Sequence, residues 1–298
     1  MERCEIAGVK ICGAGLPLHL RGAMERVAST SGSAPDAPDH EHAFDASPVS
    51  LRKDESTSSG RGSVTQGGSK RSKKLAELLA LQYPSRCHAL PAGDAAVEKV
   101  LYFVRHGEAT HNVVRETHVG TDNPYLNPAL TDAPLTAVGR AQAERLRPAA
   151  DGLPLELVIS SPLTRALETA RLAFAAHLAR GAPFVAVESC REQIGQNLCD
   201  KRQPASLTRP LFPEADMSAI AEADELFTPA RETLGALAQR ADAFLHEIRR
   251  RPEKHIAVVS HSSFFLALFN ATLDTARAPE LREWFDNGAM RVAHVAYD

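Results

Sequence analysis

Four times in the chain a short apolar run breaks off into charged or hydroxyl-bearing residues, and this recurrence limits the possible folds more than any other feature. The runs are Leu101–Val104, Leu155–Ile159, Phe184–Val187 and Ile256–Val259. Each is brief, almost wholly apolar and rich in β-branched or aromatic residues, as strands inside a sheet are. Stretches with helical spacing lie between them. One starts after Thr136, a good N-cap, and runs to Pro148; a second covers 166–179. A third covers 229–250, with Leu234, Leu237, Ala241, Phe244, Leu245 and Ile248 along one face. A short apolar helix over 264–270 and a last strand over 292–297 follow. This alternation predicts an α/β domain, a three-layer α/β/α sandwich around a mostly parallel sheet, in which ligands bind beyond the carboxyl ends of the strands.

The residues at those four ends have a common chemistry. The first run stops at Arg105-His106-Gly107-Glu108, with Asn112 shortly after. A guanidinium is a planar fork of donors that matches phosphate, and an imidazole nitrogen can attack phosphorus. Gly107 lets the backbone come close to a ligand. The second run ends in Ser160-Ser161-Pro162 and leads into a helix whose first turn carries Arg165. A strand, a tight turn and a helix N-terminus make a geometry suited to anions, although Arg165 and Glu168 could also be a helix-surface pair. The third run leads to Glu188 and Glu192, and the fourth to Ser260-His261-Ser262-Ser263.

Taken in this order, the Arg105-His106-Gly107-Glu108 motif, Arg165, the carboxylates after the third run and His261 resemble the histidine phosphatase superfamily, with its phosphoglycerate mutase-like fold. The resemblance implies that His106 is the nucleophile and that Arg105, Asn112, Arg165 and His261 surround the phosphoryl group. It implies a proton-donating carboxylate past the third strand, where Glu192 fits best and Glu188 competes. Many relatives have glycine after the second histidine; here Ser262 and Ser263 stand there, and Ser262 is a candidate phosphate contact. The implied activity is phosphomonoester hydrolysis of a small phosphorylated metabolite through a phosphohistidine. The alternatives are a phosphoglycerate mutase or a non-catalytic phospho-ligand binder. The glycolytic mutases continue after the acid with an aromatic- and glycine-containing sequence and a paired-proline region, neither of which is present. Asp200-Lys201-Arg202, Phe212-Pro213 and Arg231-Glu232 instead resemble a plant, algal and fungal branch known only as phosphoglycerate mutase-like.

The remaining sequence sets the boundaries. The segment 1–70, dense in Ser, Gly, Pro and Asp after Ser29, is predicted to be a disordered low-complexity arm. The stretch 71–90 is a linker with a short helix over 73–82, and its basic cluster Lys70-Arg71-Ser72-Lys73-Lys74 suits a solvated helix start. The folded domain is placed at 91–298, with an irregular loop over 110–131 and a lid over 196–229. Lys201 and Arg202 in that lid are candidate contacts for a second anionic group on the substrate, or else a solvated pair. With a net charge of −3 and no long apolar run, no nucleic-acid or membrane partner is expected. Five cysteines without a CxxC pair suit a reduced compartment, and a cytoplasmic location is favoured over organelle import. So many fixed donors around one phosphoryl group call for no metal and no cofactor.

Overall fold

Among the residues described by the computed structural model, which are 4–6, 9–12, 65–81 and 83–298, nine strands form one sheet. In chain order they are β1 (Cys4–Ile6), β2 (Val9–Cys12), β3 (Cys87–Leu90), β4 (Lys99–Arg105), β5 (Leu157–Ser160), β6 (Phe184–Ala186), β7 (His255–Ser260), β8 (Leu273–Asp274) and β9 (Met290–Tyr297). In space the order is β1-β2-β9-β4-β7-β5-β6, and β3 pairs with both β8 and β9. Strands β4, β7, β5 and β6 are mutually parallel, and β9 runs antiparallel to β4. The principal helices are α1 (Thr65–Ala80), α2 (Thr110–Thr117), α3 (Ala137–Glu144), α4 (Thr164–Ala173), α5 (Leu234–Arg250) and α6 (Ser262–Ala267).

Alternation along the strands divides the apolar residues between two cores. Leu101 and Phe103 of β4 join Ile256 and Val258 of β7 on one face, under Leu237, Ala241, Phe244 and Leu245 of α5. Tyr102 and Val104 join Ala257 and Val259 on the other, under Ala166, Leu167 and Ala170 of α4. The architecture is therefore the expected α/β/α sandwich. Phe103 lies edge-on to Phe265 and Phe269, with centroids 5.6 and 5.2 Å away. Cutting it to alanine would cost about 3–5 kcal/mol, because such a site closes up poorly around a ring-sized void.

Pairing four strands in parallel brings their carboxyl ends to one edge. Arg105 lies opposite Ser260, Ser160 opposite Val259, and Ser160 opposite Ala186. All four polar motifs leave the sheet at that edge.

Several boundaries differ from those expected. The sheet already includes β3, ahead of Pro91. Its sequence, Cys-His-Ala-Leu, has little strand character alone and is held by its neighbours β8 and β9. Helix α1 starts at Thr65 and ends at Ala80, and it is anchored through Leu78, fully buried in the first core. Most of the expected low-complexity arm lies outside the described residues. The stretch 110–131, expected as irregular loop, opens with α2. There the Asn112 side chain accepts a hydrogen bond from the Ala109 N–H at 2.9 Å and caps the helix. The 196–229 segment is no loose flap, since Ala205, Phe212, Met217 and Ile220 are buried in the second core. No helix among the described residues is long and apolar enough to cross a membrane.

Candidate active site

At the carboxyl end of β4 the chain turns sharply, and His106 is left 2% exposed beneath the sheet edge. Its Nδ1 lies 2.6 Å from the Gly107 carbonyl oxygen. A carbonyl can only accept, so Nδ1 carries the proton and Nε2 keeps its lone pair. The turn needs a glycine at 107: a Cβ there would sit 2.3 Å from the Gly139 carbonyl oxygen, and one on Gly139 would sit 1.9 Å from that of Glu108. The first turn of α3 is thus packed backbone to backbone against the motif. Glu108 accepts a hydrogen bond from the Thr136 hydroxyl at 2.6 Å and ties the same two segments together.

Positive charge surrounds His106. Arg105, 7% exposed, donates through Nη1 to the Phe285 carbonyl at 2.7 Å. Burial brings its pKa down to about 10, which still leaves it charged at neutral pH. Arg165, 1% exposed, donates to the Cys199 carbonyl at 2.5 Å and to Asp200 at 2.9 Å. The surface-pair reading of Arg165 with Glu168 is excluded, since Glu168 pairs with Arg140 at 3.1 Å. Thr164, at the start of α4, gives its N–H to Asp132 at 2.8 Å, so that donor of the turn is already used. His261 follows β7, fully buried, with its ring 5.0 Å from that of His106 and its Nε2 2.8 Å from the Ser161 hydroxyl.

Three buried nitrogens of these residues, Arg105 Nε, Arg165 Nε and His261 Nδ1, have no hydrogen-bond partner among the described residues. An unpaired buried donor costs about 1–3 kcal/mol, and this site contains several. Burial, then the charge of Arg165 and the neighbouring imidazoles, hold His106 and His261 well below the usual histidine pKa. Both are neutral at physiological pH. Glu192, 8% exposed, completes the group. It accepts from the Gln193 N–H at 2.7 Å, the Ser263 N–H at 3.1 Å and the Ser262 hydroxyl at 3.2 Å. Burial alone would push its pKa up. The Gln193 N–H, the charges of Lys74 and Arg231 and the Ser263 N–H outweigh burial and bring it down to about 2. The competing carboxylate, Glu188, is bound instead to Arg191 at 3.0 Å and Arg202 at 2.7 Å.

The model of the histidine phosphatase superfamily (branch 1) matches residues 101–297, the span that carries every one of these groups except Lys74. The chain belongs to this superfamily. Its members are phosphatases or mutases. Phosphoglycerate mutase-like protein 1 of Arabidopsis thaliana is 37% identical over 204 residues, covering 58% of this chain and 71% of the relative. A probable phosphatase of Schizosaccharomyces pombe is 30% identical over 172 residues, covering 55% and 74%. Among solved structures, YhfR of Bacillus stearothermophilus is similar at 25% identity over 67% of this chain and 96% of that one, with a TM-score of 0.44.

Several other residues singled out in the sequence have their side chains engaged by neighbours. Ser262 touches Glu192, and Asn112 is engaged with the Ala109 N–H and with His111 at 3.2 Å. Arg202 is 3% exposed and gives its guanidinium to Glu188 and to the carbonyls of Gln203, Ala221, Glu222 and Ala223. It clamps the 196–229 segment shut and has no donor left for a ligand. Lys201 is exposed, its ammonium 5.5 Å from the Phe227 ring centroid. The useful residue of that triplet is Asp200, which bridges Arg165 and Arg231 at 2.9 and 2.8 Å.

Three further residues at the site receive no site role from the sequence. His111, buried with its Nδ1 unpaired among the described residues, lies 5.8 Å from the His106 ring. Its place on the first turn of α2 becomes visible only once 110–117 is known to be helical. Arg231 donates to the Gly195 carbonyl at 2.7 Å, besides Asp200. Lys74 comes from α1, far upstream, and nothing in its basic run pointed to a pocket.

Proposed function

We propose that the protein is a phosphomonoester hydrolase that acts on a small phosphorylated metabolite through a phosphohistidine at His106. The observation that carries this reading is the contact of His106 Nδ1 with the Gly107 carbonyl, which fixes the proton there and leaves Nε2 free, beside two unpaired buried guanidinium N–H groups and the unpaired Nδ1 of His261. An imidazole locked in this way presents a nucleophile without having to lose a proton first. The donors match the equatorial oxygens of a phosphoryl group, where charge concentrates during transfer.

The proton traffic follows from the low pKa of Glu192. The free site holds it as a carboxylate, so its proton comes from the monoprotonated form of the phosphate ester. In the first step His106 Nε2 forms a bond to phosphorus, the ester P–O bond breaks, and the departing oxygen takes the proton from Glu192. In the second step Glu192, again a carboxylate, takes a proton from water. The resulting hydroxide oxygen bonds to phosphorus, the P–N bond breaks, and the lone pair returns to His106. Inorganic phosphate leaves and Glu192 releases the proton.

One assay tests this against a mutase and a mere binder. The protein is incubated with p-nitrophenyl phosphate and with 3-phosphoglycerate while free phosphate and isomer are followed. Hydrolysis should dominate, and His106→Ala should lose on the order of a thousandfold in kcat while still unfolding cooperatively on heating. Labelled phosphate should stay on the wild-type protein after an alkaline quench and be absent from the variant. Isomerisation without phosphate release would establish the mutase; activity in His106→Ala within about tenfold of wild type would remove the phosphohistidine.

A further inference from the structure

Helix α1 lies outside the span matched by the superfamily, yet it reaches the site. Leu78 fixes the helix to the first core. One turn earlier, the Lys74 ammonium donates to Gln193 Oε1 at 2.7 Å and to the Ser263 hydroxyl at 3.4 Å. These two contacts use two of its three N–H donors among the described residues. Gln193 and Ser263 are the same residues whose backbone N–H groups hold Glu192. A turn earlier again, the Arg71 guanidinium lies 4.4 Å from the Trp284 ring centroid, and that ring lies 5.4 Å from Arg105. The helix therefore spans from the phosphate-binding arginine to the proton-carrying carboxylate.

This inference rests on the phosphatase reading. The departing oxygen must come within hydrogen-bond reach of Glu192 to receive its proton. A cation bonded to the two residues whose N–H groups hold Glu192 then stands beside the alcohol portion of the substrate, away from the guanidinium pair around phosphorus. We propose that Lys74 is a specificity-determining residue that binds an anionic group on the leaving alcohol, so that the preferred substrates are phosphomonoesters whose alcohol carries a carboxylate or a second phosphate close to the ester oxygen. Lys74 is half-buried, and burial lowers its pKa against the opposing pull of Glu192, so a desolvated ammonium faces the substrate. Such a charge discriminates strongly, because a neutral group in place of the anion leaves it with no counter-charge but Glu192, which is protonated once the ester is bound. This role passes to Lys74 from Lys201 and Arg202, which are respectively at the surface and fully bonded.

Two probes of equal size isolate the effect: phosphoglycolate, with a carboxylate, and 2-hydroxyethyl phosphate, with a hydroxymethyl group in its place. The full-length wild type should favour phosphoglycolate by at least about tenfold in kcat/KM, through KM, as expected for one charged contact. In Lys74→Gln the ratio should fall close to one, and Lys74→Arg should retain a clear preference. Melting temperatures check that both variants fold. No preference in the wild type, or equal losses on both esters in Lys74→Gln, would overturn the proposal. Hydrolysis of p-nitrophenyl phosphate by the wild type tests the underlying phosphatase reading separately. If no ester is hydrolysed, the ratio of the two probes' Kd values from calorimetry, in wild type and Lys74→Gln, decides the role of Lys74 by the same comparison.

Discussion

Replacing Asp200 by alanine removes one carboxylate and leaves two guanidinium groups facing each other. In the native protein its two oxygens are shared between Arg165, 1% exposed, and Arg231, 23% exposed, while Asp200 itself is 4% exposed. Both bonds are short and charge-assisted, and water cannot replace the partner that Arg165 loses. Breaking a buried pair by removing one member costs about 3–5 kcal/mol, more than the pair contributes relative to a well-packed apolar substitute, because the surviving charge is stranded. For a domain of this size each kcal/mol lowers Tm by about 2–4 °C, so a fall of roughly 6–20 °C is expected by scanning calorimetry. The same change frees Arg165 to swing away from His106, and kcat/KM for p-nitrophenyl phosphate should drop by roughly ten- to a hundredfold. Inorganic phosphate, as a replacement anion for the two arginines, should raise Tm more in the variant than in the wild type. A fall below about 2 °C would refute the reasoning, since Asp200 would then contribute no more than an exposed ion pair.

Four other outcomes follow from the site. His106 and His261 are held neutral by burial and adjacent positive charge, so the acid limb of kcat/KM should lie below pH 6.5. A limb at or above 6.5 in a pH-rate profile would contradict that burial. The same two histidines take up protons more readily when unfolded. Their stabilising contribution is therefore complete above the unfolded pKa near 6.5 and is lost as pH falls toward their folded values, which urea titrations across that range would detect. Arg202→Ala should cost stability, about 3 kcal/mol, by leaving Glu188 with Arg191 alone and removing the guanidinium that joins four loop carbonyls. Lys201→Ala should change Tm and KM little; a large rise in KM would restore Lys201 as a substrate contact.

The layers of the fold were readable because they depend on local pattern. Strand-length apolar runs and the helical spacing of Leu234, Leu237, Ala241, Phe244 and Leu245 each state which faces must be buried, and one sandwich satisfies them all. Arg105, His106, Arg165, Glu192 and His261 were readable for a related reason. Parallel strands carry their ends to the same edge, so four motifs at four strand ends must converge whatever the loops do. Tertiary structure alone decided the rest. A carboxylate is chemically the same at 188 and 192, and only the positions of Arg191 and Arg202 show which one is consumed. Arg202 looked free because a sequence cannot show five acceptors contributed by neighbouring loops. Lys74 looked like surface charge because the contact joining it to Gln193 crosses 119 residues of chain. Local chemistry proposes donors; the three-dimensional accounting of which are already bonded leaves only some of them for a ligand.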